Sequence, residues 1–104
     1  IKVDSTFQSS DPAIYACGDV ASFPHLYFTD AKHVRFEHVD NCRRSAVHAA
    51  TCMINKKSNY EYSPFFYSRL FEYGDSPVVF NFYGNQEGPD GSQLETVTFG
   101  DKER

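Results

Sequence analysis

One stretch fixes the class of fold this chain can reach. From Val39 to about Ile54, the residues Val39, Cys42, Ala46, Ala49, Ala50 and Met53 recur at spacings of three and four, the period that lines one face of an α-helix. Asn55-Lys56-Lys57 supplies its stop. Around this main helix the chain offers short strand-like runs. Ile1-Lys2-Val3 and Ala13-Ile14-Tyr15-Ala16-Cys17 read as extended segments separated by a polar stretch with an Asp11-Pro12 turn, and Gly18-Asp19 ends the second. Phe65 to Phe71 is a strand-like aromatic run. Val78 to Tyr83 and Leu94 to Phe99 flank a Gly84-to-Ser92 turn that reads as a hairpin loop. The pattern predicts an α+β fold, with a boundary near Ser58 to Pro64. Residues 1–58 form a strand-and-helix part and residues 59–104 an all-strand part. A lone hairpin is marginal in water, so the second part expects a larger sheet. Ile1-Lys2-Val3-Asp4 opens as an apolar-polar alternation and reads as a cut into something longer.

Composition narrows the function classes. Ten Phe and seven Tyr within 40% apolar content can build a modest core. A formal charge of -4 without a basic run argues against a nucleic-acid partner. Apolar stretches such as Val78-Val79-Phe80 fall far below the roughly 20 residues of a membrane span, so no membrane role is expected. Cys17, Cys42 and Cys52 lack a CxxC pair and fit reduced, buried thiols inside a cell. His25, His33 and His48 do not stand at metal-ligand spacings with them, so no metal is assigned.

Three stretches carry chemistry. In Ala16-Cys17-Gly18-Asp19-Val20-Ala21, a carboxylate at the end of a strand is placed to accept hydrogen bonds from a ligand's hydroxyls, and the glycine permits close approach. Arg35-Phe36-Glu37-His38-Val39-Asp40-Asn41-Cys42-Arg43 leads into the helix, whose free N–H groups and positive dipole end suit negative charge. In Pro64-Phe65-Phe66-Tyr67-Ser68-Arg69-Leu70-Phe71, strand alternation puts Tyr67, Arg69 and Phe71 on one face. Taken alone, Arg43 would be a solvated helix charge, His38 a cap or surface histidine, and Tyr67 a core aromatic.

Together and in this order, the stretches resemble the FAD-dependent pyridine-nucleotide oxidoreductases. Thr6 to Ala21 is similar to their second FAD-binding motif, which makes Asp19 the ligand of the ribityl chain. Glu37-His38-Val39-Asp40 with Arg43 resembles the matching stretch of the monodehydroascorbate reductase branch. That implies Glu37 and His38 against the nicotinamide nucleotide, Val39 against the flavin, and Arg43 against the ascorbyl substrate. Phe66-Tyr67-Ser68-Arg69 is similar to a signature in which the tyrosine packs by flavin and nicotinamide and the arginine helps bind substrate. Ferredoxin-reductase and apoptosis-inducing-factor relatives tend to carry tryptophan there, and this chain has none. Two departures stand out: the Gln86-to-Gln93 loop is long for the family, and Asn41-Cys42 replaces the usual His-Ala.

The resemblance implies a fragment joining the end of an FAD-binding domain, residues 1–58, to the first β-strands of a C-terminal interface domain, residues 59–104. The glycine-rich loops for FAD and NAD(P)H are absent from it. The implied reaction of the intact enzyme is transfer of electrons from NAD(P)H through FAD to monodehydroascorbate, a small-molecule substrate, in the cytoplasm or a plastid. The isolated chain is expected to be inactive, with apolar surface exposed and a tendency to self-associate. Two rivals remain: a ferredoxin-reductase or apoptosis-inducing-factor-like FAD reductase, and a non-catalytic module that pairs its Val78-to-Phe99 hairpin with another sheet edge.

Overall fold

A computed structural model describes residues 1–27, 30–88 and 90–101. Among them run a 3-10 turn, Gly18–Val20, then β1 (Phe23–Pro24), β2 (His33–Val34), the helix α1 (Val39–Met53), β3 (Phe65–Leu70) and β4 (Val78–Tyr83). The result is α+β, as the periodicity predicted: one helix with small antiparallel strand pairs, β1 with β2 and β3 with β4.

Helix α1 starts and stops where its ends are chemically marked. His38 is the N-cap, and its side chain accepts from the Asp40 N–H. Asp40 puts negative charge in the first turn, where the helix dipole favours it. At the other end Asn55 adopts φ 67°, the left-handed conformation that closes helices, and donates from its N–H to the Cys52 carbonyl.

The face that α1 buries differs from the one its apolar residues predicted. The buried residues are Asn41, Ser45, Ala49 and Cys52, while Val39, Cys42, Ala46, Ala50 and Met53 are exposed. Polar residues can line the core here because their bonds are made. Asn41 donates from Nδ2 to the Phe36 carbonyl at 2.9 Å and accepts at Oδ1 from the Tyr60 hydroxyl at 3.2 Å. Ser45 accepts from the Gly18 N–H at 3.0 Å. The cysteines are free but not uniformly buried: Cys52 is buried, Cys17 partly so, and Cys42 is exposed.

The core gathers Val3, Phe7, Ala16, Ala21, Phe23 and Ala49 with Tyr60 and Tyr62. Phe7 reaches it at φ 65°. That backbone costs roughly 1–2 kcal/mol for a residue with a Cβ, and full burial of the ring returns about 1.5–3 kcal/mol. Asp4 holds the turn, its Oδ1 accepting from the Thr6 N–H and hydroxyl and from the Gln8 N–H. The segments at Ile1–Val3 and Ile14–Cys17 are too sparsely paired to be strands, and Ala13 lies in the turn that the Ile14 N–H closes on the Asp11 carbonyl. They make single bridges, Lys2 with Ser22 and Gln8 with Tyr15.

The hairpin forms, but from other partners. β4 pairs with β3, from Phe65 opposite Tyr83 to Leu70 opposite Val78, and Leu94 to Phe99 joins no strand. Cross-strand fits decide it: the Phe65 and Tyr83 rings stack at 4.6 Å, and Phe66 meets Phe80 edge-on at 6.2 Å. The Gly84-to-Ser92 segment, within which Pro89 lies outside the described residues, curls on itself instead. The Gly88 N–H donates to the Ser92 carbonyl, and Glu87 bridges Gln93. The module that rested on a Val78-to-Phe99 hairpin therefore loses its strand pair. The strand also ends at Leu70, and Phe71 turns away at φ 56°.

Candidate cofactor and substrate site

The three chemical stretches converge on the first half of α1. The Gly18–Val20 turn packs on the helix through the Gly18–Ser45 bond, and a Cβ on Gly18 would stand 3.1 Å from Cys42 Sγ. Glycine at φ 73° is what lets turn and helix approach so closely. Asp19 follows it in the turn with an exposed carboxylate.

Strand β3 meets the same end of the helix. His38 stands edge-on to Tyr67, with ring centroids 5.1 Å apart, and contacts Phe66 at 4.9 Å. The Tyr67 N–H points to His38 Nε2 at 3.5 Å, while Nδ1 accepts from Asp40. A neutral imidazole accepts at only one nitrogen, so the shorter helix-capping bond takes precedence. Val39, the first residue of α1, keeps a backbone N–H with no acceptor inside the helix.

Glu37 lies on the lip of a groove of about 490 Å³ that also involves His38, Phe66, Phe82 and Asn85, and it is ion-paired to Arg35 at 2.6 Å. Arg43 is exposed on α1 and lines a separate groove of about 520 Å³ beside Arg44, His48 and Tyr60. Arg69 lies on the same strand face as Tyr67, and Glu72 holds its guanidinium at 3.1 Å. Thus His38 and Tyr67 are brought together, Asp19 sits on a loop braced by the same helix, and the two arginines project from different elements.

Sequence reasoning passed over four residues that bind these pieces together. Tyr60 and Tyr62 stack almost parallel at 5.7 Å. Their hydroxyls donate to consecutive helix residues, Tyr60 to Asn41 at 3.2 Å and Tyr62 to Asp40 at 3.0 Å. Burial pushes both phenols up, so both remain protonated donors at neutral pH. Their signal in the chain is the Tyr-x-Tyr alternation, which puts both rings on one side of an extended segment.

No family model matches the chain. Individual proteins do. A chloroplastic/mitochondrial monodehydroascorbate reductase of Arabidopsis thaliana is 43% identical over 96% of this chain. A monodehydroascorbate reductase of Pisum sativum is 41% identical over 99% of it. Nearly the whole chain is similar to a segment of monodehydroascorbate reductases. It spans about a fifth of the length of these monodehydroascorbate reductases, 19% of the first and 22% of the second. Among solved structures, a putidaredoxin reductase covalently complexed with putidaredoxin matches 69% of the chain and 17% of that structure, at 35% identity and a TM-score of 0.59. The monodehydroascorbate reductase likeness thus covers nearly the whole chain, and the reductase fold agrees with it.

Proposed function

We propose that this chain is part of an enzyme that carries electrons from NAD(P)H through FAD to the monodehydroascorbate radical, regenerating ascorbate. Residues 1–58 would end the FAD-binding domain, and residues 59–104 would begin the interface domain while lending Tyr60 and Tyr62 to the first part's core. The observation that carries this reading is the meeting of the Gly18–Val20 turn, the Glu37–Val39 approach and strand β3 at one end of α1. The residues present fit one side of a flavin. Asp19 offers an exposed carboxylate with no hydrogen bond or ion pair among the described residues, and the start of α1 offers the Val39 N–H, which has no acceptor inside the helix.

FAD held by Asp19 and the start of α1 would supply the coupling between two-electron oxidation of NAD(P)H and one-electron reduction of two radicals. Asp19 accepts from the ribityl hydroxyls, and the Val39 N–H faces negative charge on the flavin's pyrimidine edge. Glu37 and His38 position the nicotinamide nucleotide, and Tyr67 closes the space beside it. Arg43 and Arg69 bind the anionic radical through planar guanidinium forks. The likeness to a putidaredoxin reductase favours a second reading, a reductase serving a protein acceptor. Against it stands the acidic balance of the chain, with a formal charge of -4.

The isolated chain lacks the glycine-rich loops for both nucleotides and is expected to be inactive. Its exposed apolar residues, among them Leu70, Val78 and Phe80, favour self-association. The working enzyme is assigned to the cytoplasm or a plastid; relatives are named chloroplastic/mitochondrial and peroxisomal. Following NAD(P)H oxidation by the full-length enzyme, with monodehydroascorbate and a ferredoxin-type protein offered in turn, tests the proposal. Preferred turnover with the radical is expected, and preferred turnover with the protein would replace it by the second reading.

A further inference from the structure

One buried hydroxyl joins the two elements that carry the proposed site. Tyr62, 3% exposed, donates to Asp40 Oδ2 at 3.0 Å and accepts from the Phe65 N–H at 3.3 Å. Asp40 is the second residue of α1, which bears Val39 and Arg43. Phe65 is the first residue of β3, which bears Tyr67 and Arg69. The stacked ring of Tyr60 braces Tyr62 and bonds the next helix residue, Asn41. Arg44 reaches the same Asp40 carboxylate from the solvent side, fixing its orientation. Apart from ring packing, the further approach between the helix start and β3 among the described residues is that of the Tyr67 N–H to His38 at 3.5 Å, which gives way to the Asp40 cap bond on the same ring.

We infer that Tyr62, with Asp40, is a positioning pair for the acceptor side of the site: its hydroxyl sets where β3, and so Tyr67 and Arg69, stand relative to Arg43. The inference rests on the proposed reading of those residues. Glu37, His38 and Val39 lead into or start the helix and do not depend on the tie to β3. Loosening it therefore displaces Arg69 relative to Arg43, while Glu37 and His38, which position the nucleotide, stay with the helix and Tyr67, which moves with β3, only borders the nucleotide. A small displacement suffices, because about 1 Å of misplacement can cost on the order of a hundredfold in rate. A purely structural role makes a different forecast, since a less stable fold would lose flavin and slow both half-reactions together.

The test uses the full-length enzyme with Tyr62→Phe, Asp40→Ala, the double variant, and Tyr73→Phe as a control at a fully exposed tyrosine. Tyr62→Phe keeps the ring and its stacking, so the fold and the FAD content should persist. The KM for monodehydroascorbate should rise roughly tenfold while flavin reduction by NAD(P)H stays within about twofold. Asp40→Ala should reproduce that split, and the double variant should be no worse than the more impaired single one, because both remove the same bond. Tyr73→Phe should match the unsubstituted enzyme. Equal slowing of both half-reactions, or losses that multiply in the double variant, would overturn the positioning role. An unaltered KM in Tyr62→Phe, with normal turnover in the unsubstituted enzyme, would overturn it alone. An unsubstituted enzyme that does not reduce the radical would instead sink the functional reading, and the inference with it.

Discussion

His38 caps α1 with one ring nitrogen and stands edge-on to Tyr67, centroids 5.1 Å apart and planes at 87°. The same ring thus starts the helix and faces the strand. Removing it should cost the cap, on the order of 1 kcal/mol, whereas Asn can cap in its place. Thermal denaturation should therefore show a lower Tm for His38→Ala and recovery of most of the loss in His38→Asn. Equal Tm values for the two variants would mean that the cap bond contributes nothing.

Gly18 is required twice over, by a backbone at φ 73° and by Cys42 Sγ at 3.1 Å from where a Cβ would stand. Gly18→Ala should destabilise the chain by about 1–2 kcal/mol from the left-handed backbone alone, with the close contact adding to it. Adding Cys42→Ala should return only the contact's share. Urea midpoints of the single and double variants measure both parts, and complete rescue by the second substitution would mean that the backbone costs nothing.

These two sites mark what could and could not be read from the chain. The bounds of α1 were legible because a cap and a stop are local chemistry, carried by His38 and by Asn55. Its buried face was not, because Asn41 and Ser45 count as polar until Tyr60 and Gly18 arrive from elsewhere in the chain to bond them. The partner of β4 was equally hidden: Val78–Tyr83 could pair forward or backward, and ring contacts such as Phe65 with Tyr83 decide between them. Glu37, His38, Tyr67 and the arginines came from motif resemblance, while the roles of Tyr60 and Tyr62, which fall at the boundary near Ser58 to Pro64, came only from the fold.

Asp4 should give the chain an acid-sensitive turn. Partial burial works to raise its pKa, but the Thr6 hydroxyl and N–H and the Gln8 N–H outweigh it and hold the carboxyl below its ordinary value of 3.8. A carboxylate whose pKa is lowered on folding stabilises the fold above its unfolded pKa, and that contribution fades as pH falls through the folded value. Asp4→Ala should therefore lower Tm at pH 7 and leave a smaller difference near pH 2. An equal Tm deficit at both pH values would show that the charge is irrelevant to the turn.

Asp19 is exposed beside the braced Gly18 turn. In the full-length enzyme, Asp19→Ala should weaken FAD retention by on the order of 1 kcal/mol or more, the scale of a lost acceptor for a hydroxyl. Flavin absorbance after extensive dialysis is the measurement, and full occupancy would remove Asp19 from the cofactor site.

If Arg43 and Arg69 serve the electron acceptor, stopped-flow kinetics of the two half-reactions in the full-length enzyme will separate them from the donor side. Arg43→Ala and Arg69→Ala should each lower kcat/KM for monodehydroascorbate roughly ten- to a hundredfold, or about 1.5–3 kcal/mol, the range for a hydrogen bond to a charged group. Lysine at either position should recover only part of that loss, because a point charge replaces a fork. The rate of flavin reduction by NAD(P)H should stay nearly unchanged in all four variants. Equal slowing of flavin reduction and reoxidation would refute the acceptor role, since it would make both arginines structural.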